Sequence, residues 1–207
     1  MSLIKKIEDK ISELKINEDS ISEERKELLL SFAKYIADKV IEEKSINLIF
    51  ICTHNSRRST MAQIWAQAVA EYYRIPNVQC YSGGTEATAF NPNAVKAVED
   101  GGFSVRKTKD SDNPNYLVSY SDSKEPIICF SKIYGDSFNP QKDFAAIMTC
   151  SDADANCPMV LGAEARFPVK YDDPKEFDGT ALESQKYKER FEQIGTEMLF
   201  VFKNVKV

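Results

Sequence analysis

An α/β protein built on a parallel sheet is what the sequence predicts. From Ile46 onward, short apolar runs of strand-forming residues alternate with longer stretches of helical periodicity. Strands separated by helices pair in parallel and carry helices on both faces. Glycine punctuation agrees. Ser82-Gly83-Gly84 closes a strand-like run, and Gly101-Gly102 follows a helical one as a C-cap signal.

Before this rhythm starts, residues 1–45 stand apart as a helical extension, rich in Glu, Lys, Ile and Leu and free of Gly, Pro and Cys. Two helices fit, over Leu3–Leu14 and Ile21–Glu43. Ser20 and Glu23 have the spacing of a capping box for the second. Its apolar face, Leu29, Phe32, Ala33, Ile36, Val40 and Ile41, is expected to pack on the domain behind it; a partner or dimer surface is the alternative. The α/β domain then spans residues 46–207. Asn47–Cys52 reads as a strand and Ser59–Tyr73 as a helix burying Met61, Ile64, Trp65, Ala68 and Val69. Val78–Tyr81 is a strand, Asn93–Asp100 a helix and Phe144–Thr149 a strand. Ala165–Tyr171 is a further strand and Ala181–Lys203 a closing helix. The stretch near 116–140 breaks the rhythm and reads as an insertion, with Leu117–Tyr120 and Pro126–Phe130 as a hairpin.

A chain of 207 residues suits one domain, or one domain plus an appendage, and can bury a sizeable core. No apolar run approaches the ~20 residues of a membrane span. The start, MSLIKKIEDKISELK, is charged throughout and does not read as a secretory signal. Five cysteines without such a signal argue for a reducing compartment, hence a cytoplasmic protein with free thiols. A net charge of −5 without a basic stripe gives no support for a nucleic-acid partner.

The stretch Ile49-Phe50-Ile51-Cys52-Thr53-His54-Asn55-Ser56-Arg57-Arg58-Ser59-Thr60 carries the chemistry. Ligands of open α/β sheets bind at the carboxyl ends of strands, which is where Cys52 falls. The N–H groups of Thr53, His54, Asn55, Ser56, Arg57 and Arg58 can converge on one point, and the helix that follows adds its positive dipole end. Such an anion cradle favours a thiolate at Cys52. Arg58 supplies a planar fork suited to two oxygens of a tetrahedral oxyanion. Ser59 either bonds the sulfur or caps the helix. His54 fits a loop-conformation residue tolerant of left-handed backbone, and Arg57 points to solvent or adds positive field at the mouth. The sum is machinery for sulfur attack on phosphate or a phosphate-like anion.

Cleavage of a phosphate ester also needs a proton for the leaving oxygen. Tyr171-Asp172-Asp173-Pro174 supplies paired carboxylates after the last candidate strand, with Asp173 the better acid. Cys150 ends the strand Phe144–Thr149 at the edge that carries Cys52, and Cys157 follows six residues later. Three cysteines at one sheet edge point to relayed thiol–disulfide exchange. Zinc is disfavoured, because no second Cys pair or nearby His completes a ligand set, so no metal is expected. Cys80 and Cys129 lie in strand-like runs as core residues.

Cys52-x5-Arg58-Ser59, the segment Tyr81-Ser82-Gly83-Gly84-Thr85-Glu86-Ala87 and the Asp-Pro loop resemble the low-molecular-weight protein tyrosine phosphatase superfamily. The run from Cys150 to Cys157-Pro158 and Tyr171-Asp172-Asp173-Pro174 resemble its thioredoxin-coupled arsenate reductase branch. The likeness covers about residues 46–203, interrupted by the insertion, and leaves residues 1–45 outside. It implies a three-layer sandwich with a four-stranded parallel sheet, of the phosphotyrosine phosphatase I type. It also implies a mechanism. Cys52 attacks arsenate held by the loop and Arg58, with Asp173 as proton donor. Cys150 then attacks the adduct and arsenite leaves, and Cys157 takes over Cys150, leaving a Cys150–Cys157 disulfide for thioredoxin or a similar thiol reductant. In the phosphatase alternative, Cys52 becomes phosphocysteine and Asp173 protonates the leaving phenol. A module that holds an oxyanion without turnover is a third reading, opposed by the intact Cys, Arg and Asp set.

Several positions depart from the family pattern. His54 stands where Gly is usual, and Arg57 where a small or apolar residue is usual. Gln63 stands where the branch often has a Glu that joins Asn55, Ser82 and an Asp like Asp110 in a potassium site, which puts potassium in doubt; no other cofactor is expected. Met159–Val169 lacks the Pro-rich pattern. The insertion could roof the site and either admit a larger substrate or limit it, and Tyr171 and Phe177 are candidates for the aromatic residues beside the acid loop.

Overall fold

The computed structural model describes residues 3–156 and 159–206. The chain opens with α1 (Lys5–Lys15), a tight turn at Ile16–Ser20 and α2 (Glu23–Ile41). Helix α1 buries Ile7, Ile11 and Leu14, one stripe at helical spacing. Helix α2 is capped by Ser22, whose hydroxyl accepts the Arg25 N–H at 3.3 Å. The expected Ser20–Glu23 box does not form, because Ser20 sits in the preceding turn and donates to Asn17 O at 2.6 Å. Leu29, Phe32, Ala33 and Ile36 of α2 enter the main core, and Phe32 meets Phe167 at 5.0 Å between ring centroids. The apolar face is therefore covered by its own chain; only its tail, Ile41, is exposed.

The sheet consists of β1 (Ile46–Cys52), β2 (Val78–Gly84), β6 (Phe144–Met148) and β7 (Ala163–Phe167), all parallel, in the order β2-β1-β6-β7. Helices α3 (Arg58–Tyr72), α4 (Pro92–Asp100), α5 (Ser151–Asn156) and α6 (Glu183–Lys203) complete it. The last strand is shorter than Ala165–Tyr171 and shifted toward the N-terminus. Pro168 ends its ladder, since a proline offers no N–H. Strands β1 and β6 are buried on both faces. On one face Leu48, Phe50, Ala145 and Ile147 pack under α3 and α6; on the other Ile49, Ile51, Ala146 and Met148 pack under α5 and Tyr134. The crossover β1-α3-β2 runs one way along the sheet and β6-α5-β7 the other. Right-handed connections then place α3 and α5 on opposite faces. No helix among the described residues is long and apolar enough to cross a membrane.

The insertion is larger than the expected hairpin. It is an antiparallel sheet of β3 (Ser104–Lys107), β4 (Tyr116–Ser119) and β5 (Ile127–Cys129). Strand β3 escapes prediction because Ser-Val-Arg-Lys is short and mostly exposed. The chain returning from β5 runs along the end of β2, where Gly84 donates to Lys132 O at 2.8 Å and Tyr134 to Gly84 O at 2.9 Å. A Cβ on Gly83 would stand 2.4 Å from Tyr134 Cα, and one on Gly84 would stand 2.6 Å from Thr53 O. The glycine pair thus admits the returning chain on one side and the loop after β1 on the other. Further down β2, an edge strand, side-chain amides take the free backbone groups. Gln67 accepts from Cys80 N at 2.9 Å and donates to Val78 O at 3.3 Å, Gln63 donates to Cys80 O at 3.0 Å and Asn139 to Ser82 O at 3.1 Å.

Phe32→Ala should cost about 3–5 kcal/mol by the usual measure of a buried aromatic truncation. Urea unfolding should show this as a lower midpoint of one transition. A loss below about 1 kcal/mol would mean that α2 contributes little to the common core.

Candidate active site

All four strands run the same way, so the ends of β1, β6 and β7 deliver Cys52, Cys150 and the Tyr171–Asp173 segment to one edge. Tyr171 N–H reaches Thr149 O at 3.1 Å, which seats the acid loop beside the end of β6.

Asn55 sets the conformation of the loop after β1. Its φ is +47°, a left-handed value that Asn tolerates better than most residues. The left-handed position expected at His54 falls one residue later. Buried Asn55 accepts the Lys132 N–H at 3.0 Å and donates to Ser59 Oγ at 2.8 Å and Thr60 Oγ1 at 3.3 Å. The loop's carbonyls are spent on its surroundings: Cys52 O on Thr85 N–H, Thr53 O on Glu86 N–H, His54 O on the Ser131 hydroxyl and Ser56 O on Asn91 N–H. None of the N–H groups of Thr53–Arg57 has an acceptor among the described residues. A loop with its acceptors used and its donors free is an anion nest.

Ser59 Oγ lies 3.1 Å from Cys52 Sγ. Since this hydroxyl already accepts from Asn55, its own proton is free for the sulfur. Ser59 does not cap α3, which begins one residue earlier. Arg58, 8% exposed, donates through Nη1 to Tyr171 O at 3.0 Å and through Nη2 to Asp173 Oδ2 at 2.5 Å. Its Nε is buried without a partner among the described residues, a donor held in reserve. Asp173 Oδ1 accepts the Lys175 N–H at 3.1 Å, so the carboxylate is gripped on both oxygens. Asp172 faces out toward Arg190.

Arg57 does not reach solvent as expected. Its Nε donates to the Tyr187 hydroxyl at 2.7 Å, its Nη2 to Asp178 at 3.3 Å, and Tyr187 donates to Asp178 at 2.7 Å. Burial, the largest influence, works against the Arg57 charge; Tyr187, Asp173 and Asp178 outweigh it and raise the guanidinium above its ordinary value. Burial also pushes the Tyr187 phenol up to about 12. His54 sits half exposed with Nε2 3.5 Å from Glu86, and Ser56 donates to Ala89 O at 2.6 Å.

Cys150 is fully buried. Its sulfur accepts the Ala153 N–H at 3.3 Å at the start of α5 and lies 3.5 Å from Thr53 Oγ1. It shares a buried cluster with Cys52. Cys157 lies outside the described residues. Cys80 and Cys129 are core thiols that burial raises, Cys129 to about 12. Tyr171 is buried beneath Arg25, whose guanidinium stands 5.1 Å from its ring, so it cannot line the mouth; Phe177 is half-buried. The insertion's return through Ser131 and Lys132 backs the loop at His54 and Asn55. The residues of the branch's potassium site do not fit an ion here. Asp110 is exposed on Lys107, and the Asn55 oxygen is taken. Only Gln63 Oε1 and Ser82 Oγ are left without partners among the described residues.

A cysteine set in an anion nest at the carboxyl edge of a parallel sheet, with an arginine at the helix start, marks a thiol-dependent enzyme of oxyanion chemistry. Comparison with known proteins narrows this class. Residues 47–118 match the family model described as low molecular weight phosphotyrosine protein phosphatase. An arsenate reductase of Bacillus licheniformis is 30% identical over 145 residues, which are 69% of this chain and 84% of that protein. An arsenate reductase of Shouchella clausii is 31% identical over 136 residues, 66% of this chain and 79% of that protein. The low molecular weight protein tyrosine phosphatase from T. tengcongensis shares the fold, with a TM-score of 0.52 at 16% identity over 77% of this chain and 99% of that one. The chain belongs to the low molecular weight phosphotyrosine protein phosphatase family, in its arsenate reductase branch.

Lys132, which supports Asn55 through its backbone, has a 2% exposed side chain between Phe130 and Phe138. Burial lowers its amine from 10.5 to about 8, against the opposing pull of Cys129 and Asp136. Between these values the unfolded chain binds more protons, so this group's contribution to stability falls as pH drops from 10.5 to 8 and stays low below that. Lys132→Met should therefore gain roughly 1–3 kcal/mol at pH 7. Urea unfolding should show the gain shrinking toward pH 10; an equal gain at both pH values would refute the argument.

Proposed function

We propose that this protein is a thiol-dependent arsenate reductase acting through Cys52, Cys150 and Cys157. The observation that carries the reading is the Cys150 sulfur in one buried cluster with Cys52 and 3.5 Å from the side chain of Thr53, the first residue of the nest. Arsenate enters the nest formed by the N–H groups of residues 53–57, and Arg58 binds it. Thr53, His54, Asn55, Ser56 and Arg57 serve it through the backbone, since their side chains have other partners. The Ser59 hydroxyl stabilises the Cys52 thiolate. Cys52 attacks arsenic, and hydroxide departs as water with a proton from Asp173, which takes that proton from solvent once the oxyanion has drawn Arg58 away. Binding releases that acid: while Asp173 is paired to Arg58 its Oδ2 is occupied, and an oxyanion on the guanidinium competes for it.

The Cys150 thiolate then attacks Cys52 sulfur. The sulfur–arsenic bond breaks, its electron pair goes to arsenic, and arsenite leaves from a Cys52–Cys150 disulfide. Cys157 attacks Cys150, which frees Cys52 and leaves a Cys150–Cys157 disulfide. An external dithiol of the thioredoxin class returns both to thiols. Free thiols at Cys52, Cys80, Cys129 and Cys150 suit a reducing cytoplasm. A second reading, phosphotyrosine or small aryl phosphate hydrolysis through a Cys52 phosphocysteine, uses the same nest. It is favoured by half-buried Phe177 on the acid loop, an apolar surface for an aryl group.

Steady-state turnover of arsenate with a thioredoxin system, measured beside an aryl phosphate, separates the two. Cys52→Ser should abolish both activities. Cys150→Ser should abolish arsenate turnover and spare most aryl phosphate hydrolysis; unchanged arsenate turnover would sink the relay. Asp173→Asn should slow aryl phosphate hydrolysis by about 10²–10⁴-fold, the usual worth of a general acid.

A further inference from the structure

Arg57 lies inside an anion-binding loop, yet its guanidinium is turned away from the nest. It is 12% exposed and joined to Asp178 and to Tyr187 on α6. Asp178 closes the turn Pro174–Phe177 that follows Asp173, and its N–H bonds Lys175 O at 3.0 Å. Two consecutive arginines of one loop therefore tether the acid loop at two points, Arg58 at Asp173 and Arg57 at Asp178. The tethers are not equivalent. An oxyanion in the nest draws on the Arg58 guanidinium and weakens its hold on Asp173, at the moment when Asp173 must stay in place to donate a proton. The Arg57 tether has no such conflict, because its partners lie outside the nest.

We propose that Arg57 is a positioning residue that keeps the Asp173 loop closed over Cys52 once an oxyanion has engaged Arg58. This rests on the oxyanion reading of the Cys52 site, and it assigns a use to the arginine that departs from the family pattern. Tyr187 is part of the device. Its hydroxyl bridges Arg57 and Asp178 and anchors both to the long helix α6.

Hydrogen exchange of the backbone amides of residues 172–180, with and without inorganic phosphate, tests this in wild type, Arg57→Met, Arg57→Lys and Asp178→Asn. Without phosphate the variants should exchange close to wild type, because Arg58 still holds Asp173. With phosphate, Arg57→Met and Asp178→Asn should exchange about tenfold faster than wild type, the worth of one charged hydrogen bond, and Arg57→Lys should recover part of the protection. In parallel, kcat for aryl phosphates should fall more for poor leaving groups than for good ones, since only the former lean on the acid. Equal exchange with and without phosphate in both Arg57→Met and Asp178→Asn, or a loss of kcat uniform across leaving groups, would overturn the proposal. Wild type in which phosphate fails to protect Thr53–Arg58 would overturn the oxyanion reading itself, and the proposal with it.

Discussion

The side-chain amide of Asn55 is the contact on which the site depends. It is fully buried, so each of its polar atoms must find a partner, and an orphaned one would cost about 1–3 kcal/mol. Its oxygen is bound to the chain returning from the inserted sheet, and its nitrogen to the two hydroxyls that open α3. These bonds, with the left-handed backbone, turn the loop carbonyls outward and leave the N–H groups without acceptors. The same amide fixes Ser59 with its proton available to Cys52. The anion nest and the environment of the thiol are two results of one geometry.

Around that centre, cations organise the acid loop. Arg25 of α2 donates to Lys170 O at 3.1 Å, covers the Tyr171 ring and pairs with Glu197 of α6 at 2.7 Å. A pair this buried is weak evidence for stability, but removing one partner strands the other charge. It therefore specifies where the root of the loop lies. The N-terminal helices, which lie outside the family likeness, thus share in holding the segment that carries Asp173. Their apolar residues join the same core as α3 and α6.

The legible and illegible parts of the molecule divide by physical cause. Periodicity and glycine punctuation revealed the central sheet and its helices, because burial on one or both faces imposes a pattern on consecutive residues. The Cys52 loop was readable because strand, cysteine, arginine and helix start are contiguous. Arg57–Asp178–Tyr187 was not, since Arg57 lies more than a hundred residues from its two partners and each, alone, reads as a surface side chain. Strand β3 was hidden by its exposure, and the left-handed position fell on Asn55 rather than His54. The backing of the loop by Ser131 and Lys132 uses backbone groups and a hydroxyl, which leave little trace in composition.

The glutamines along β2 bear on a matter apart from chemistry. An edge strand with free N–H and C=O groups is a template on which a second chain can add a strand. Here Gln63, Gln67 and Asn139 occupy groups of Val78, Cys80 and Ser82 from the side, and the chain at Lys132–Tyr134 takes both groups of Gly84. The sheet is closed to extension at that border without a proline or a bulge. Amide side chains do this without adding a charge of their own, so they suppress strand-by-strand self-association by hydrogen bonding alone.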